Sequence, residues 1–163
     1  MTLWSDFLAE ARIKRLRGII AISGSLKNII MKKYKVTDKK IIVAHDAVDL
    51  SEFANIVSKE GARRSLIIGA DKNVTVYTGS IFKRKGVFTI LEAASLLGED
   101  YLFIIAGGGI NDETKKVVKF VSDKKLKNVI LVGHIFHKKI PFYLSAADVL
   151  ILPNSALDER TRD

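Results

Sequence analysis

The sequence predicts an α/β fold: an open parallel sheet with helices on both faces. Three observations predict it. Short apolar or β-branched runs alternate with segments whose apolar residues recur at helical spacing. The runs are apolar on successive residues, the pattern of strands covered on both sides. Most of them stop at glycine, which ends a strand and opens a turn.

The first elements are weakly patterned. Residues 1–17 place Trp4, Phe7, Leu8 and Ala11 on one helical face, followed by Arg12, Lys14, Arg15 and Arg17. Such a basic amphipathic helix fits an anionic membrane surface, or packing on protein with its cations in solvent; its short apolar face favours packing. Residues 18–23 read as a buried strand, and a helix carrying Leu26, Ile29, Ile30 and Lys33 comes next, with Ser25 the expected N-cap. A polar connection leads to a second buried strand at 41–43, completing a strand–helix–strand unit. Residues 54–72 show no apolar period before Ser65 and are expected to be a connection containing a short helix.

Regular alternation then begins. Strands are expected at 74–79, 101–106, 128–132 and 149–152, and helices at 87–97, 112–125 and 140–147. The 87–97 helix shows its stripe at Val87, Ile90, Leu91, Ala94 and Leu97. The 112–125 helix has acids first and lysines last, matching its dipole. Pro141 stands early in the third helix, where proline is tolerated. Four strands alternating with helices make a Rossmann-like sheet joined by right-handed crossovers. Ligands of such sheets sit beyond the carboxyl ends of the strands, so Gly79, Gly107, Gly133 and Pro153 should line one rim. The stretch from Asn154 to Asp163 is polar and carries no helix to cover the last strand: either it is disordered or the chain is a piece of a larger fold, and the bare last strand favours the piece.

Composition narrows the function. The 163 residues contain no cysteine, so disulfides and cysteine-held metal are excluded, and a reducing, cytoplasmic setting is expected. Three scattered histidines argue no zinc centre, and no metal is expected. No apolar run approaches the ~20 residues of a membrane span. The net charge is +9: residues 1–64 hold 13 Lys/Arg against 7 Asp/Glu, and the remainder 14 against 11. That excess suits nucleic acid, acidic lipid or phosphorylated ligands, or a lysine-rich solvated surface.

The sharpest chemical signal is residues 74–86. A strand breaks into Gly79 and Ser80, crosses Lys83, Arg84 and Lys85, and reaches Gly86 at the start of a helix. Strand, glycine loop, fixed cations and helix N-terminus together make a phosphate-sized anion site. Gly107, Gly108 and Gly109 begin like a dinucleotide fingerprint, but Asp112 stands where its last glycine belongs and the triplet comes after the second strand, which speaks against NAD. Lys85 is followed by Gly86 rather than Ser or Thr, which excludes a Walker A loop. His134 and His137, on a lysine-rich loop, read more simply as polar loop residues than as catalytic bases.

Five stretches in this order carry a family resemblance: IIAIS at 19–23, with KIIVAHDAVDLSEF at 40–53; GSIFKRKG at 79–86; FIIAGGG at 103–109; NVILVG at 128–133; and YLSAADVLILPN at 143–154. Together they resemble the second half of a GT-B glycosyltransferase of the retaining family four, or group 1. The resemblance implies a partial GT-B fold, with residues 1–53 the remnant of an N-terminal domain and its linker, and 54–163 a truncated donor-binding domain. It implies transfer of a sugar from a UDP-, GDP- or ADP-linked donor to a glycan or lipid-linked acceptor, as in polysaccharide biosynthesis. The donor is a substrate, no cofactor is implied, and the setting is cytoplasmic, with peripheral contact on an anionic membrane open.

Residue by residue, the resemblance assigns donor binding to Gly79, Ser80, Lys83, Arg84, Lys85, Gly86, Gly107, Gly133, His134, Ile135, Pro153 and Asn154. Lys85 matches a phosphate-binding cation, and the turn at Gly133, His134 and Ile135 matches the segment that cups the nucleotide base. Two departures stand out: His45, Asp46 and Ala47 replace an Asn-Gly linker, and Ser80 replaces a phosphate-binding arginine. The family's Glu-x7-Glu motif would come after residue 163, so no catalytic residue is assigned, and weak or no turnover is expected of this chain alone. The resemblance leaves no expectation of nucleic acid as a partner; the alternative is a non-catalytic, basic Rossmann-like module binding nucleic acid or anionic lipid.

Overall fold

The computed structural model describes residues 3–54 and 56–155, with side chains described from residue 8 onward. The chain divides into two compact units, residues 1–49 and 50–163.

In the first unit, α1 (Leu3–Arg15) precedes β1 (Ile19–Ala21), α2 (Gly24–Tyr34) and β2 (Ile41–Val43). The two strands pair in parallel, Ile19 opposite Ile41. Ala21, Val36 and Ile41 form a small core, against which Ile13 of α1 and Leu26, Ile30 and Met31 of α2 pack. Trp4 and Phe7 lie outside the described side chains, and Leu8 is 46% exposed, so Ile13 is the α1 residue seen in that core. The N-cap of α2 is Ser23 and not Ser25. Ser23 has the extended backbone a cap needs (φ −150°, ψ 160°), and its hydroxyl accepts from the Leu26 amide. His45 Nδ1 lies 3.1 Å from the Ile22 carbonyl oxygen, joining the end of β2 to the end of β1.

The second unit begins with a 3₁₀ turn at Leu50–Phe53 and then α3 (Lys59–Ser65). Four strands come next: β3 (Asn73–Gly79), β4 (Tyr101–Gly107), β5 (Val129–Gly133) and β6 (Val149–Leu150). Helices α4 (Val87–Leu96), α5 (Asp112–Asp123) and α6 (Ile140–Ala146) connect them. The sheet is parallel in the order β5-β4-β3-β6, so the chain steps outward twice and then returns to the far side of β3. That reversal is the topology of the doubly wound sheets.

Period-two alternation puts a core on each face. Tyr77, Phe103 and Ile105 meet Val87, Ile90, Leu91 and Ala94 of α4 and Val117 of α5. On the opposite face Val74, Val76 and Ile104 meet Tyr143 and Leu144 of α6 and Leu66 and Ile68 after α3. The last strand is shorter than the expected 149–152. Among the described residues it pairs with β3 alone, and the chain then turns back, the Asn154 amide donating to the Leu152 carbonyl.

Candidate functional site

β3 and β4 run in register to their last residues, so Gly79 stands opposite Gly107. β5 slips by one: Ile105 faces Leu131, but Ala106 faces Gly133. Such an irregularity at a strand end re-aims the next segment, here the loop beginning at His134. The three carboxyl ends enclose a cavity of about 330 Å³ lined by Gly79, Ser80, Ala106, Gly107, Gly108 and the residues His134 to His137 with Ile140.

Backbone fit holds the floor together. A Cβ on Gly107, whose φ is +154°, would lie 1.8 Å from the Gly79 carbonyl oxygen, so the two strand ends approach as closely as they do only because position 107 is glycine. Tyr77, 1% exposed, donates from its hydroxyl to the Ser80 carbonyl at 2.7 Å and fixes the turn from beneath. Burial pushes the Tyr77 phenol above its ordinary value, which keeps it a neutral donor. On the neighbouring side Asn111 caps α5, its side-chain oxygen accepting from the Thr114 amide at 2.7 Å, and Thr114 Oγ1 accepts from the Gly109 amide at 3.3 Å. The glycine loop is thereby tied to the start of a helix.

The expected site residues fall into two groups. Gly79, Ser80, Gly107, His134 and Ile135 line the cavity, and Gly133 leads directly into it. Lys83, Arg84, Lys85, Gly86, Pro153 and Asn154 are not among its lining; they form an adjoining cluster. Lys83–Lys85 is a 3₁₀ turn, and Gly86 after it has φ +69°. A Cβ on Gly86 would meet the Pro153 carbonyl oxygen at 2.0 Å, and the Ser155 amide donates to the Arg84 carbonyl at 2.9 Å. The segment 153–155 thus lies against the turn that opens α4. Of the three cations, Lys83 and Arg84 are exposed and Lys85 is half-buried.

Ala106, Gly108, Phe136, His137 and Ile140 also line the cavity, beyond the residues expected from the sequence. Ala106 and Gly108 flank the expected Gly107 at the end of β4, whereas nothing periodic announces Phe136, His137 and Ile140, because the fold of the chain after β5 decides which of its side chains turn inward. His137 Nδ1 lies 3.4 Å from Glu52 Oε2. The cavity lining contains no Lys, Arg, Asp or Glu.

A second polar cluster sits at the opposite, amino-terminal end of the sheet. Asp148 accepts from Lys59, from Arg63 Nη2 at 2.6 Å and from the Val74 amide at 2.6 Å. Arg63 is 8% exposed and also donates to the carbonyls of Ala146 and Ala70. The hydrogen bond from Lys59 and the Val74 amide hold the Asp148 carboxyl down at about 2. Asp148 is paired with both Lys59 and Arg63, so this cluster ties α3 to β3 and to the start of β6. Among the described residues no three His, Asp or Glu side chains gather to hold a metal ion, and no helix is long and apolar enough to cross a membrane.

A doubly wound parallel sheet with a glycine-floored cavity beyond its carboxyl ends places the chain among the α/β proteins that take their ligands at that edge of the sheet. Comparison with known proteins narrows that group. Residues 58–159, more than half of the chain, match the model of "Glycosyl transferases group 1", and the chain belongs to that family. It is 31% identical over 160 residues to the UDP-Gal:alpha-D-GlcNAc-diphosphoundecaprenol alpha-1,3-galactosyltransferase of Escherichia coli, covering 93% of this chain and 39% of the relative. It is 24% identical over 149 residues to the O-antigen chain mannosyltransferase RfbU of Salmonella typhimurium, covering 91% of this chain and 38% of the relative. Among solved structures, Anabaena Alr3699/HepE in complex with UDP and glucose superimposes with a TM-score of 0.79 at 16% identity, over 96% of this chain and 43% of that one. The chain therefore spans about two fifths of the length of the proteins it resembles.

Proposed function

We propose that residues 50–163 form the donor-binding part of a group 1 glycosyltransferase and take a nucleotide-diphosphate sugar into the cavity beyond β3, β4 and β5. One observation carries this reading: the strand-end glycines Gly79 and Gly107 and the His134–Ile135 turn, far apart in sequence, surround one cavity at the carboxyl edge of the sheet. Backbone at Gly79–Ser80 and Gly107–Gly108 gives a flat donor molecule close access. Ile135, Phe136 and Ile140 offer an apolar wall for a base. The turn Lys83–Lys85 beside the cavity supplies cations for the diphosphate. Stabilising phosphate charge as the bond to the sugar breaks is the electrostatic help such transfer needs. The acceptor in this reading is a glycan or lipid-linked sugar, in polysaccharide biosynthesis. The setting is cytoplasmic, with Arg12 and Arg15 of α1 facing an anionic membrane surface in this reading.

Titration with UDP-, GDP- and ADP-sugars, set against a nucleic-acid oligomer at two salt concentrations, tests the reading. Saturable binding of one nucleotide-sugar class, weakened on the order of tenfold by Lys85→Ala, is the expected result. A steeply salt-dependent response to the oligomer, with no preference among nucleotide sugars, would replace it with a basic binding module.

A further inference from the structure

The turn that leaves β3 is tied to the core by a buried phenol. Tyr77 belongs to the apolar cluster under α4, and its hydroxyl donates to the Ser80 carbonyl at 2.7 Å. Gly79, with φ +147°, lets the turn settle onto that phenol: a Cβ there would lie 3.2 Å from the Tyr77 hydroxyl oxygen. The Ser80 carbonyl and the Ile81 amide share one trans peptide plane, so they point in opposite directions. The hydroxyl that draws the carbonyl towards the core therefore turns the Ile81 amide away from it. That amide donates to no acceptor among the described residues, although Ile81 is only 3% exposed. A backbone N–H so enclosed and without an acceptor is rare and costly, and it calls for an oxygen from outside the chain. Ser80, the other half of the same peptide, lines the cavity.

We propose that Tyr77 is a positioning residue for donor binding: its phenol fixes the Ser80–Ile81 peptide so that the Ile81 amide donates to an oxygen of the bound nucleotide sugar. This rests on the donor-binding reading and adds to it a residue that touches no ligand itself. Tyr77→Phe isolates the effect, because the ring stays in the core and the tether alone is lost. The freed peptide can then rotate and present the Ser80 carbonyl, an acceptor, where the ligand needs a donor.

The test is isothermal titration calorimetry of UDP-glucose, UDP-galactose and GDP-mannose on the whole chain, with circular dichroism to show each variant folded. Tyr77→Phe should weaken binding of the preferred sugar about three- to tenfold. Ile90→Val is the control for stability: it removes one methyl group from the same apolar cluster and no atom of the turn. It should lower the melting temperature and leave the affinity unchanged. Nuclear magnetic resonance reads the amide directly. Saturation with the sugar should move the Ile81 amide proton downfield and slow its exchange with solvent, and both effects should shrink in Tyr77→Phe. Parent-like affinity in Tyr77→Phe, an Ile81 amide unmoved at saturation, or an equal loss of affinity in Ile90→Val overturns the inference and leaves the donor reading standing. Failure of all three sugars to bind the folded parent overturns both.

Discussion

Gly107 decides whether the two central strand ends can touch. Its φ of +154° belongs to glycine, and any Cβ there would sit 1.8 Å from one backbone atom of Gly79 and 2.8 Å from the next. Backbone cannot step aside as a flexible side chain can. Gly107→Ala should lower stability by about 2–4 kcal/mol and remove nucleotide-sugar binding, read by thermal denaturation and calorimetry. Gly98→Ala is the control: its Cβ would meet nothing within 4 Å, and the change should stay within about 0.5 kcal/mol. The glycine punctuation is visible in the sequence because glycine is rare inside strands and frequent where they stop. Glu52 is not. It meets His137 across 85 positions (137 − 52), through an ion pair that no local pattern encodes.

At the scale of elements, what can be read from the sequence tracks apolar period. β3, β4, α4 and α5 emerge within a residue or two of expectation because each buries a regular stripe. The sequence places α3 only as a short helix somewhere in residues 54–72, since its buried members are Ala62 and the cation Arg63. Its placement depends on the Asp148 cluster, a tertiary contact. Its C-terminus carries a strained residue: Ile67 has φ +57° and is 94% exposed, at the position where helices prefer glycine. The Ile68 amide reaches the Arg63 carbonyl and the Ile67 amide the Arg64 carbonyl, the bonding of a Schellman end. Ile67→Gly relieves that strain and exposes nothing new, so it should raise stability by about 1 kcal/mol in urea denaturation.

Asp148 joins α3, β3 and the start of β6. Its folded carboxyl sits at about 2, below the ordinary range, so the stabilisation is fully present above about pH 4 and lost as pH falls towards 2. Partial solvent access reduces this to about 1–2 kcal/mol. Asp148→Asn should cost about 2–3 kcal/mol at pH 7, because the nearly buried Arg63 loses its counter-charge. The same variant should flatten the stability profile between pH 4 and 2; an unchanged acid slope would show that other carboxylates dominate it.

The two units differ in what each contributes to the candidate site. Every residue lining the cavity lies in residues 50–163, and so does Glu52. The capping of α5, the Tyr77 support beneath Ser80 and the Asp148 cluster are internal to that unit as well. Its two apolar clusters draw on β3, β4, β5 and helices on both faces, enough for a separate core. Among the described residues, the first unit shows one small cluster of three buried residues around a two-stranded sheet, which is marginal alone. Residues 50–163 prepared by themselves should therefore fold and bind nucleotide sugar within about threefold of the affinity of the whole chain. Thermal denaturation with and without UDP-glucose, then calorimetry on the same sample, measures both. A folded fragment that no longer binds would mean that residues 1–49 contribute to recognition, and that the cavity beyond β3, β4 and β5 is only part of the donor site.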